Sequence, residues 1–266
     1  MPKIPPVVPA IPRTSPYARN WPASIAFSWL RAGWRDLTDI PVPSLVYGLF
    51  VFLLSAGVTL GLVFLELDYA LFPATAGFLI LAPMLAIGLY EKSRALEQGR
   101  PVRLAAMLAP RPRSGGQLLF TGAMLCVLML LWNRAAIIVY ALFYGVRPFP
   151  GLGHVTQELF GTPHGLAMLA VGSAVGALFA GFSFAISVFA IPMLLDKRID
   201  ALTAMGTSWA LVWNNLPALI VWGAVVLALF LASIVTGMLG LIVVFPLLGH
   251  ASWHAYRSIE GEDGPA

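Results

Sequence analysis

Ala82-Pro83-Met84-Leu85, Ile191-Pro192-Met193-Leu194 and Phe245-Pro246-Leu247-Leu248 are three copies of one short motif. Each sits toward the C-terminal end of a long apolar run. The first and third copies belong to a longer match. At a constant offset of 163 residues, Gly77 aligns with Gly240, Pro83 with Pro246, Leu85 with Leu248, Arg94 with Arg257 and Glu97 with Glu260. A repeat of this kind identifies the unit being stacked. Here the unit is a membrane hairpin.

Composition sets the class. Hydrophobic residues make up 59% of the 266 and charged residues 11%, with a mean hydropathy of +0.85. Soluble domains are near 45–50% apolar and about 25% charged, so the chain reads as an integral membrane protein. The formal net charge of +4 raises the question of nucleic acid. The basic residues lie between apolar spans, which points to the membrane instead. The lone Cys126 forms no internal disulfide.

Six runs are long enough to cross a hydrocarbon core, near residues 44–65, 70–90, 117–144, 165–194, 217–237 and 239–257. Helices are expected because lipid satisfies no backbone polar group, and no ten-residue barrel alternation is present. Shorter amphipathic stretches precede alternate spans: about Pro22 to Thr38, about Val102 to Leu108, and Ile199 to Asn215. Their Trp and Arg content suits helices lying in the headgroup plane. The predicted fold is thus an all-α polytopic membrane protein of six transmembrane helices. These form three tandem hairpins, each led by an interfacial helix. Residues 1–21, rich in proline, read as a disordered cytosolic tail. Residues 22–258 read as one transmembrane domain and 259–266 as a second cytosolic tail. No apolar core near the start reads as a signal peptide.

Orientation follows from lysine and arginine. Of the 16, all except Arg134 and Arg147 fall on one side of this scheme. The positive-inside rule then places both termini in the cytoplasm of a bacterium, with the chain in the inner membrane.

Few residues suggest chemistry. Pro83, Pro192 and Pro246 each lack a backbone N–H, and each should kink its helix. Asn133 and Arg134 lie inside the third span, where charge is costly. Arg134 either snorkels to the outer headgroups or turns inward to pair with Glu66, Asp68 or Glu158. His250 and His254 share a helical face beside Trp253 and Tyr256. That face either holds a metal or haem edge or belongs to an interfacial aromatic belt. The loop from Gly145 to Gly165 carries His154, Glu158 and His164 without metal-site spacing, and it is long enough for a small cap. Gly57-x-x-x-Gly61 and Gly172-x-x-x-Gly176-x-x-x-Ala180 are close-packing ridges. No Walker lysine, G-x-S-x-G, H-E-x-x-H or cysteine cluster occurs. No catalytic residue, metal or cofactor is therefore expected, and the chain reads as a non-enzyme.

Three segments carry a resemblance: Gly33-Trp34-Arg35-Asp36-Leu37, Ile191-Pro192-Met193-Leu194-Leu195-Asp196, and the run from Phe245 to Arg257. Together they resemble an uncharacterised, mostly proteobacterial family of predicted integral membrane proteins with a domain of unknown function. The resemblance spans about residues 22–260. Some members are labelled cytochrome c oxidase subunit I. That subunit needs twelve spans and several intramembrane histidines, whereas six spans and four histidines are read here. The resemblance implies no catalytic residues. Two functional expectations follow. One is an accessory or assembly protein packing against other membrane subunits, a respiratory oxidase among them. The other is a small repeat-built transporter or channel with Arg134 in its cavity.

Overall fold

A computed structural model describes residues 15–145 and 151–260. Lys3, Arg13 and Arg147, which enter the charge argument, lie outside these residues, as do most of the 1–21 tail and residues 261–266. The part of the tail that is described lies against the bundle. Trp21 packs edge-on to Trp29, and Asn215 accepts from the Arg19 N–H while donating to the Tyr17 carbonyl.

Every regular element among the described residues is helical. In chain order they are α1 (Ile25–Asp39), α2 (Pro41–Phe64), a 3-10 turn (Asp68–Ala70), α3 (Leu71–Leu85), α4 (Ile87–Glu97), α5 (Leu104–Leu108) and α6 (Gly115–Tyr144). There follow α7 (Leu152–Gly161), α8 (Pro163–Ser187), α9 (Ala190–Asp196), α10 (Ala201–Asn214), α11 (Leu216–Val235) and α12 (Leu241–Arg257). Five segments are long and apolar enough to cross a membrane: α2, α3–α4, α6, α8–α9 and α11. α12 has 17 residues, about 25 Å at 1.5 Å per residue, against a core of about 30 Å.

The short helices fall where the amphipathic stretches lie, but they do more than float in headgroups. α1 buries Ala26, Trp29, Gly33 and Leu37 against α12 and α11. A Cβ at position 33 would lie 2.5 Å from the Ala251 backbone nitrogen, so only glycine permits this approach. The region read as an outer loop contains α7, whose Leu159 is buried.

The core is concentrated at one end of the bundle. There α4, α9 and α12 touch one another and bury Leu89, Phe189, Ile191, Leu194 and Ala251 completely. α12 is central, packing on α1, α2, α4 and α11. Its polar residues are tolerated because they face protein and not lipid. Toward the other end the helices are mostly exposed, with fewer than three in ten residues buried in the spanning windows of α2, α3–α4, α6 and α11.

The three prolines act differently. α3 stops at Leu85, two residues after Pro83, and α4 resumes at Ile87. At this break the Leu89 N–H turns to the Ala86 carbonyl, and the Tyr47 hydroxyl donates to the Leu85 carbonyl at 2.8 Å. α8 and α9 separate at Val188–Phe189, four residues before Pro192, where the proline removes the donor for the Val188 carbonyl. Ser208 of α10 bridges this break: it accepts from the Phe189 N–H at 3.2 Å and donates to the Ala185 carbonyl at 2.7 Å. Its hydroxyl thus stands inside what would be one i→i+4 bond. α12 runs unbroken through Pro246. The carbonyl that Pro246 leaves without a donor is that of Ile242, and the backbone of Gly48 in α2 lies against it.

Candidate functional site

The buried polar end is built by α1, α2, α4 and α12. Lys92 of α4 is 1% exposed. Its ammonium donates to the Asp36 carbonyl at 2.8 Å, the Ile40 carbonyl at 2.5 Å and the Ser44 hydroxyl at 2.7 Å. The two carbonyls lie at the C-terminal end of α1, where the helix leaves acceptors unpaired and its dipole favours a cation. Lys92 therefore caps α1 and ties it to α4 and to the start of α2.

From Ser44 the network continues into His250, which is fully buried. Ser44 lies 2.9 Å from His250 Nε2, and Ser93 lies 2.8 Å from His250 Nδ1. Beside this chain the Asp36 carboxylate accepts from His254 Nε2 at 2.9 Å. One assignment uses every proton once. Lys92 donates to Ser44, whose own proton goes to His250 Nε2. The His250 ring then carries its proton on Nδ1 and donates to Ser93. A buried ammonium, two hydroxyls and a neutral imidazole thus form one hydrogen-bonded chain.

Asp36 sits outside the spanning helices. Burial acts to raise its pKa, but the bonds from His254 and Ser93 outweigh that and hold it below the ordinary 3.8. A carboxyl with a lowered folded pKa contributes stability above the unfolded value. That contribution is lost as pH falls through the folded value. The thermal midpoint of the detergent-solubilised protein is therefore expected to drop as pH falls below about 4. Asp36→Asn, measured over the same range, is expected to flatten that acid limb.

Around this network, the ends of α4, α9 and α12 are linked in a ring. Arg94 of α4 donates to the Leu195 carbonyl of α9 at 2.7 Å. Lys197, following α9, pairs with Glu260 beyond α12 at 2.6 Å. Arg257 of α12 pairs with Glu97 of α4 at 2.8 Å. Tyr256 adds a bond to Asp196. Glu91 is held between Arg94 and Arg100. Arg257 also bonds Glu260, its own neighbour one turn on.

The residues singled out in the sequence divide between the two ends. His250 and His254 share one face of α12, as their spacing requires, but each is bound to protein. His250 is too deeply buried to sit in an interfacial belt. Among the described residues no three His, Cys, Asp or Glu side chains converge as a metal would need. Asn133 and Arg134 lie far away on α6. Asn133 lines an apolar groove of about 680 Å³ between α3, α6 and α8, along with Trp132, Gly172 and Gly176. Arg134 is exposed and is not among the lining residues. No ion pair among the described residues includes it. The side chains of Asp68 and His154 lie outside the described residues. His164 Nε2 bonds the Phe143 carbonyl. The Gly172/Gly176 ridge lies against α6, with Trp132 3.0 Å from a Cβ built at position 176. Gly57 and Gly61 face open space.

Sequence reasoning passed over Lys92, Asp36, Ser44 and Ser93 as site residues. Lys92 entered only as one positive charge among many. The available signal was a lysine two residues after the membrane run near 70–90, which ends in the apolar Leu89 and Tyr90.

Five bilayer-length apolar helices and a charged network sealed inside one end define an α-helical integral membrane protein. Residues 71–196 match the family model described as predicted integral membrane protein (DUF2189). Of the three segments that carry the resemblance, Ile191–Asp196 falls inside that match; Gly33–Leu37 and Phe245–Arg257 flank it. No curated protein and no solved structure matches the chain.

Proposed function

We propose that the chain is a bacterial inner-membrane protein of six crossings, built as three hairpins around a pseudo-threefold axis, with both termini cytoplasmic. α12 is the sixth crossing, its polar turns sheltered by α1 and α4. The repeat units are α1–α4, α5–α9 and α10–α12. The cyclic set of bonds at their ends supports this arrangement: the first donates to the second through Arg94, the second to the third through Lys197, and the third to the first through Arg257.

The same observation favours a non-enzymatic accessory or assembly role over transport. The axis is closed by apolar side chains and by polar groups already bonded to one another. The groove toward the other end is apolar, and Arg134 lies outside its lining, so a conduction path would have to cross a filled core. A partner membrane subunit fits the poorly buried half of the bundle, where Gly57 and Gly61 leave an open ridge on α2; a respiratory oxidase is the first complex to examine. A photoreactive residue at position 57 is expected to cross-link one defined membrane subunit in cells, whereas the same residue at position 251 is not. Capture of lipid alone at position 57, together with substrate flux in proteoliposomes, would reverse the assignment.

A further inference from the structure

We infer that the corner formed by Arg111, Arg113 and Arg198 is a binding site for an anionic phospholipid. The inference rests on the membrane reading above and adds a ligand class to it.

Two segments far apart in sequence are strapped together here. The Arg113 N–H donates to the Leu195 carbonyl at 3.1 Å, and the Ser114 N–H to the Leu194 carbonyl at 3.2 Å. The Ser114 hydroxyl donates to the Lys197 carbonyl at 2.9 Å and accepts from the Ile199 N–H at 3.0 Å. Gln117 of α6 accepts from the Ala201 N–H at 3.0 Å. These bonds hold the backbone of Arg111–Arg113 beside that of Arg198. All three arginines are exposed, and no ion pair among the described residues includes them. The nearby carboxylates are engaged: Asp196 by Tyr256, Glu260 by Lys197 and Arg257, and Asp200 by the Thr203 N–H at the start of α10. The corner therefore carries three guanidinium groups that no carboxylate bonds among the described residues.

What lies beside it decides between an amphiphile and a free anion. One turn into α6, Leu119 and Phe120 are exposed, and at the start of α10 Leu202 is exposed. Further along α10, Trp209 and Trp213 stack at 6.0 Å, both exposed. Cationic groups followed at once by uncovered apolar and Trp side chains match a phosphate head with acyl chains attached. Basic corners between membrane helices recognise anionic lipid heads in this way. Guanidinium groups suit the task through paired donors to phosphate oxygens.

The test uses the full chain purified in a neutral maltoside detergent. Phosphatidylglycerol and phosphatidylcholine with identical acyl chains are titrated in, and bound lipid is counted by native mass spectrometry. The wild-type chain is expected to retain phosphatidylglycerol preferentially. Arg111→Gln/Arg113→Gln/Arg198→Gln is expected to weaken that binding about fivefold per arginine, roughly a hundredfold in all, and to leave phosphatidylcholine unchanged. Arg134→Gln, at an exposed cation elsewhere, is expected to keep wild-type behaviour. Unfolding midpoints confirm that the variants fold. Equal retention of the two lipids, or a triple variant that binds phosphatidylglycerol as tightly as wild type, overturns the site. Full competition by inorganic phosphate overturns the lipid assignment. Failure of the membrane reading itself would register separately, as release of the chain from membranes by an alkaline wash.

Discussion

Replacing Lys92 by methionine is expected to lower the thermal midpoint of the detergent-solubilised protein by roughly 10 °C. Methionine fills much of the same volume but offers no proton. The Asp36 and Ile40 carbonyls and the Ser44 hydroxyl, all bonded by the ammonium, then lose that donor. Each buried group left unpaired costs about 1–3 kcal/mol, so a total loss of about 3–5 kcal/mol is expected. For a chain of this size 1 kcal/mol moves the midpoint by about 2–4 °C. The loss also uncaps α1, so α1 should become the first protease-sensitive segment. Arginine at this position is expected to recover little, because its planar fork does not match three acceptors arranged around one nitrogen. A Lys92→Met protein as stable as wild type would show that the ammonium does not clamp α1.

Gly48→Ala is expected to destabilise by about 3 kcal/mol, at the upper end of overpacking costs. The added carbon would sit 2.2 Å from the Ile242 carbonyl oxygen and 2.9 Å from Pro246 Cγ. Neither atom is the end of a flexible side chain, so α2 must move off α12. That movement also pulls Ser44, one turn earlier on α2, away from Lys92 and His250. Gly57→Ala on the same helix is the matched control. Nothing lies within 4 Å of its added carbon, and alanine is the better helix former by up to about 1 kcal/mol. Its midpoint is expected to hold or rise slightly. Midpoints of the two variants, measured side by side, check both. Equal effects would mean that α2 does not approach α12 as closely as the carbonyl at the proline suggests.

Both predictions concern contacts that were only half legible beforehand. Pro246 stands out in the sequence as a missing donor, which frees the Ile242 carbonyl. That Gly48, almost 200 residues earlier, closes over this carbonyl leaves no local trace. His250 and His254 are visible as an i,i+4 pair, because helical spacing is a local property. Their partners are not visible: Ser44 is 206 residues from His250, and Asp36 is 218 from His254. Arg134 is conspicuous as a charge within a span, yet which way it faces depends on how α6 packs with α3 and α8.

The sequence by itself determined the helical class, five of the apolar segments and the positions of the short helices α1, α5 and α10. All of these rest on local hydropathy, and water and lipid sort residues by it in the same manner wherever the chain lies. Tertiary structure alone decided which apolar surfaces are core and which remain open, and which polar groups are satisfied. The reason is physical. Hydrocarbon is as apolar as a packed interior, so hydropathy cannot distinguish a residue facing lipid from one facing another helix. A buried lysine becomes tolerable only when distant segments bring acceptors to it.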